Sequence, residues 1–215
     1  MSRHARGGAA PGTPVPYGEA ARDLMQTTIL AAVGGLVADR PWDSITMSDV
    51  ARRAGVSRQT LYNEFGNRKE LARAYALRVS AALLDRVEAE ALTHADDPRE
   101  ALLGAFSLFL TIAADEPFVR ALTAPSGADG LAALVGTPEG IPILHAASAR
   151  IRRVMQTVAP AADPVDVAAL ADVVVRLAIS HLSVPAGSVA DATATLARVV
   201  GPALDVLGTP APARR

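Results

Sequence analysis

An all-α fold is expected from three observations. Half of the 215 residues are apolar, while only 4% are aromatic, so helix formers dominate and the strand-preferring rings are scarce. Apolar residues recur at intervals of three and four over long segments, which is the helical period. No segment alternates convincingly as a strand would, and no internal repeat is present.

The elements follow in order. Residues 1–17 are rich in Gly, Pro and Ala without periodicity, the composition of a disordered arm. From Glu19 to about Asp39 an amphipathic helix fits, with Leu24, Met25, Thr28, Ile29, Ala32 and Leu36 on its apolar face. Pro41 ends it, because the residue before a proline is pushed out of the helical region. Thr46 caps a second helix through about Ala54, with Asp49 three residues on at the positive end of the helix. Gly55 breaks that helix, and Ser57 caps a third that ends near Phe65. Asn67 and Glu70 mark the start of a fourth, which meets no breaker until about residue 92. After "THADDP" comes a helix carrying Leu102, Leu103, Phe106 and Leu110. Helical spacing is weak from 115 to 140. Segments 141–158, 164–184 and one ending near 207 complete the chain, and residues 209–215 read as a flexible tail.

Composition excludes several chemistries. Cysteine is absent, which removes disulfides, zinc-thiolate sites and cysteine nucleophiles. No stretch reaches the ~18 uninterrupted apolar residues of a membrane span, and the N-terminus lacks the apolar core of a secretory signal. No membrane partner is expected, and a cytoplasmic location is. No glycine-rich phosphate loop, Ser-His-Asp order, paired-carboxylate cleft or metal-ligand spacing stands out, so no catalytic residue, metal or cofactor is assigned. His145 and His181 lack a carboxylate or second histidine at ligand spacing. The near-neutral total hides an asymmetry: residues 1–80 hold 11 Lys and Arg against 7 Asp and Glu, whereas residues 81–215 hold 10 against 15. A basic N-terminal third suits an end that meets a polyanion.

Two short helices joined by a tight glycine turn, the second led by polar residues, describe a helix-turn-helix over residues 18–70. Ala51 suits the crossing point of the two helices. Val56, Leu61 and Phe65 fasten the second to the core, leaving Arg58, Gln59, Thr60 and Asn63 to project. Such side chains can read base edges in the major groove. Thr46, Ser57, Tyr62, Arg68 and Lys69 are better placed for phosphates, aided by the positive end of the fourth helix. Double-stranded DNA is therefore the expected partner. Glu64, an anion close to this face, is expected to turn inward or to pair with a neighbouring arginine.

The string "ITMSDVARRAGVSRQTLYNEFGNRKEL" resembles the N-terminal domain of the TetR family of bacterial repressors. The resemblance rests on Ile45-Thr46, Val50-Ala51, Ala54-Gly55-Val56-Ser57, Thr60-Leu61-Tyr62, Phe65 and Leu71. It is strong over residues 20–75 and architectural beyond. Gln59, Glu64 and Arg68 depart from the family pattern, which has a small residue, a histidine or aromatic, and a lysine there. The operator sequence therefore cannot be borrowed. The resemblance implies a repressor that binds a pseudo-palindromic operator as a dimer and releases it on binding a small effector. It also implies that residues 71–208 hold the effector and dimerise through their last two long helices, about 164–184 and 189–207. Apolar candidates for the effector site are Phe106, Phe109, Leu110, Phe118, Leu122, Leu144 and Leu177, with His145 among them, and the composition favours an apolar or amphipathic effector. Two alternatives stay open at this point: a DNA-binding protein without effector, and an all-α enzyme.

Overall fold

The computed structural model describes residues 17–117, 119, 141–184 and 187–207. Within them the chain forms α1 (Tyr17–Asp39), a single 3-10 turn (Trp42–Ser44), α2 (Met47–Ala54), α3 (Arg58–Phe65), α4 (Arg68–Leu92) and α5 (Pro98–Asp115). Three helices of the body follow: α6 (Ile141–Val158), α7 (Pro164–Ser183) and α8 (Val189–Leu207).

Local chemistry fixes the short helices. The Thr46 hydroxyl accepts from the Asp49 amide while the Asp49 carboxylate accepts from the Thr46 amide, a reciprocal capping box at the start of α2. Ser57 accepts from the Thr60 amide, and Asn67 from the Glu70 amide. Asp97 and Asp163 do the same for α5 and α7, each with a proline in the first turn.

Helices α1 to α3 and the first half of α4 close around one core. Ile29, Val33, Trp42, Val50, Leu61 and Leu71 are buried there, and Ala51 joins them with 2% exposure. The apolar face of α1 is Ile29, Ala32, Val33, Leu36 and Val37. Leu24 and Thr28 do not belong to it: Leu24 is 68% exposed, and residues 17–24 are exposed throughout. Polar contacts tie this end of α1 to α3, with Arg22 donating to Glu64 at 2.8 Å and Gln26 donating to the same carboxylate at 3.0 Å.

A second core joins the later half of α4 to α5, α6, α7 and α8, with Leu83, Phe106, Met155, Val174 and Leu196 at its centre. Helix α5 packs on α4 and α8, and α6 packs on α4 and α7. Helix α4 thus belongs to both cores, through Leu71, Ala72, Tyr75 and Ala76 at one end and Leu83, Val87 and Ala91 at the other. Tyr75 lies at the seam, and burial pushes its phenol up to about 12, with Glu116 adding to the shift. None of the described helices is long and apolar enough to cross a membrane.

Candidate nucleic-acid interface and effector cavity

Helix α3 presents Arg58, Gln59, Tyr62 and Asn63 as an exposed face, while Leu61 and Phe65 are buried on the opposite side. This is the arrangement a reading helix needs: the apolar side fixes its depth, and the polar side stays open. Gln59 Nε2 donates to Asn63 Oδ1 at 2.8 Å, so the two amides form one surface unit. Thr60 is half-buried and shares a hydrogen bond with the Ser57 hydroxyl at 2.8 Å, so it braces the start of the helix. Thr46 and Lys69 are exposed on the adjoining helix starts.

Three ionised groups hold this head in shape. Hydrogen bonds from Thr46, with Arg52 and Arg40 beside it, hold the Asp49 carboxyl well below the usual carboxylate range. Glu64 is lowered by Arg22 and then by Gln26, so it stays an anion tied to α1. Arg68 turns its guanidinium back onto the protein, donating to Trp42 O at 2.6 Å and Ile45 O at 3.2 Å and lying 4.7 Å from the Trp42 ring centroid.

Two glycines set the joints. Gly55 lies in the left-handed region (φ 69°, ψ 25°), and the next amide, Val56 N–H, closes onto Ala51 O at 3.0 Å. Gly66 adopts φ 73° and ψ −66°, with Asn67 N–H donating to Phe65 O at 2.8 Å, a three-residue γ-turn. The first glycine aims α3; the second aims α4. The need for the second is not visible in the helix-cap pattern, which ends at Phe65 and restarts at Asn67.

In the body a cavity of about 460 Å³ lies between α4, α5, α6 and α7, within the range of small-molecule sites. Its walls are mostly apolar: Leu83, Leu84 and Val87 from α4, Phe106 and Phe109 from α5, and Leu144, Ile151 and Met155 from α6. One edge is charged. Arg150 donates to Glu88, and its guanidinium lies 2.6 Å from Asp85. Arg176, also at the edge, is paired with Asp172 at 2.8 Å.

Of the residues expected from sequence, Phe106, Phe109 and Leu144 line this cavity. Leu110 is buried in the surrounding core, and Leu177 packs half-buried against it, both off the cavity wall. His145 is exposed and does not line the cavity: the wall face of α6 runs through Leu144, Ala147, Ile151 and Met155, and His145 falls outside that spacing. Phe118 and Leu122 lie outside the described residues. His181 is a satisfied structural histidine, with Nδ1 3.0 Å from Leu177 O and its ring edge-on to Phe106. None of the α4 wall residues is among those expected from sequence, because an apolar stripe on a long helix reads the same whether it meets core or cavity. The stripe is Ser80, Leu83, Leu84, Val87, Ala91 at helical spacing.

Two family models match the chain: bacterial regulatory proteins of the tetR family over residues 29–75, and the bacterial tetracyclin repressor C-terminal domain over residues 97–202. The HTH-type transcriptional regulator AlkX of Mycobacterium tuberculosis is 39% identical over 193 residues, 90% of this chain and 91% of that protein. The chain belongs to the TetR family of transcriptional regulators. Among solved structures, the TetR family repressor AlkX from a Dietzia strain, implicated in biodegradation of n-alkanes, superposes with a TM-score of 0.71 at 32% identity, covering 84% of this chain and 97% of that one. RolR in complex with resorcinol shares the fold, with a TM-score of 0.59 at 18% identity over 90% of this chain and 97% of that one. The chain is therefore a TetR-type transcriptional regulator: α3 lies within the segment that matches the family's N-terminal model, and the C-terminal body corresponds to the family's ligand-binding domain.

Proposed function

We propose that this TetR-family regulator represses transcription by binding a pseudo-palindromic operator as a dimer, and that a small apolar or amphipathic effector in the α4–α7 cavity releases it. The carrying observation is the double membership of α4. Its first residues adjoin α3, and its second half walls the cavity, so a ligand that displaces Leu83, Leu84 or Val87 acts on the helix that carries the reading head. Arg58, Gln59 and Asn63 contact bases in this reading; Thr46, Ser57, Tyr62 and Lys69 contact phosphates.

Dimerisation runs through α7 and α8. Val165 and Val173 on α7 and Val199 on α8 are 74%, 54% and 71% exposed in the single chain, and exposed apolar side chains on these two consecutive helices suit cover by a second copy. The apolar walls favour an effector with a hydrocarbon body, and the Dietzia relative's link to n-alkane degradation points the same way. The effector in this reading is an aliphatic chain or an oxidised derivative of one.

Selection of bound sequences from random DNA tests the reading. The expected result is a site with two inverted half-sites whose centres lie about one helical turn, or a multiple of it, apart. Recovery of a single unrepeated half-site would refute the dimeric operator.

A further inference from the structure

We propose that Arg68 is a positioning residue that clasps the 42–45 turn and makes α4 and the helix-turn-helix one rigid body, rather than a ligand of the DNA backbone. The inference deepens the lever reading above and depends on it for its consequence, although the clasp itself can be tested in the free protein.

The geometry of the guanidinium carries the argument. Arg68 is the first residue of α4. Its Nη2–H donates to Trp42 O at 2.6 Å and its Nε–H to Ile45 O at 3.2 Å, two carbonyls three residues apart at the entrance to α2. The guanidinium carbon also lies over the Trp42 ring, 4.7 Å from its centroid, and Asp43 stands 3.9 Å away. Trp42 is itself fixed, with 3% exposure. A planar fork can stack on a ring while holding two acceptors in fixed directions; an ammonium has neither the plane nor the fixed fork. Reaching outward for a phosphate would mean giving up these contacts in part.

The clasp has a mechanical consequence. Phe65 and Leu71 hold the apolar side of the joint, and Arg68 holds its polar side against the backbone that leads into α2. A tilt of α4 is then delivered to α2 and α3 together instead of being absorbed at the Gly66 turn.

Trp42 is the single tryptophan, so its emission reports on the clasp directly. The test compares the full-length parent with Arg68→Lys and Arg68→Gln in three measurements: Trp42 emission and acrylamide quenching without DNA, operator affinity, and affinity as a function of salt. The clasp requires both variants to expose Trp42 to quencher. It also requires both to weaken operator binding on the order of tenfold and to within about twofold of each other, since each loses two charge-assisted hydrogen bonds. The slope of log affinity against log salt should match the parent. A phosphate ligand would behave otherwise: Arg68→Lys would bind like the parent, Arg68→Gln would lower the slope by about 0.9, and Trp42 would be unmoved. Those results would overturn the proposal. If Arg68→Gln does not fold, Arg68→Lys decides alone, because it keeps the charge and removes the fork. If the parent binds no operator, the regulator reading fails, and Trp42 quenching in Arg68→Lys still decides the clasp.

Discussion

Gln59 and Asn63 stand four residues apart on α3, and their amides meet at 2.8 Å. A pair joined in this way presents a fixed set of outward donors and acceptors to DNA. It also means that removing one member frees the other to rotate. Gln59→Ala and Asn63→Ala should each cost about 1–3 kcal/mol on the operator and relax preference at one or two base pairs. The double variant should depart from additivity by at least ~0.5 kcal/mol. Affinities for a panel of operator variants measure this, and additive losses with unchanged base preference would remove the pair from the reading surface. The exposed face of α3 was legible in the sequence because it is a property of one short helix. The hydrogen bond of Glu64 to Arg22, across 42 positions, was legible only as a requirement that a buried-side anion find a cation. Which cation met it depended on how α1 lies, which no local pattern states.

At the scale of elements, the chain announces its helix starts through side chains and its joints through glycine. Thr46, Ser57 and Asn67 each act within three residues of themselves, so the starts of α2, α3 and α4 could be read directly. Gly55 and Gly66 look alike in sequence but differ in what they ask of the backbone. The left-handed conformation of Gly55 is one that asparagine tolerates, whereas the ψ of −66° at Gly66 is open to little but glycine. At neither position would an added Cβ meet an atom within 4 Å, so the cost of substitution is conformational and not steric crowding from neighbours. Gly55→Asn should therefore cost under about 1 kcal/mol of stability, Gly55→Ala about 1–2 kcal/mol, and Gly66→Ala more than either. Denaturant unfolding gives the order, and a Gly66→Ala variant as stable as Gly55→Asn would contradict the γ-turn as the strained joint. The cavity was less legible than the joints for a related reason. It is made by four helices facing one another, and a leucine stripe such as Leu83, Leu84 and Val87 reads the same whether it meets core or ligand.

Across the whole molecule, α4 contributes to both cores and begins beside α3, and its length sets the scale of what an effector can do. Twenty-five residues make a helix of about 37 Å at 1.5 Å per residue, so a small tilt near Leu83 or Val87 displaces the start of the helix appreciably. Two reading heads in a dimer must stand roughly 34–36 Å apart to enter successive major grooves, and a few ångströms of extra separation spoils the match. An effector can drive that change only to the extent that it prefers the wider state: a tenfold loss of operator affinity needs ~1.4 kcal/mol of preference. The same free energy must appear when the ligands are exchanged, so operator should weaken effector binding by the factor by which effector weakens operator binding. Titration calorimetry of each ligand, with and without a saturating amount of the other, measures both factors. Filling the cavity from within gives an independent route to the same state: Leu84→Trp, on the α4 wall, should weaken effector binding and alter operator affinity without touching any residue of the reading face. Equal, reciprocal factors support the lever. Unchanged constants with both ligands bound would leave the DNA-binding surface intact and remove α4 as the path between it and the cavity.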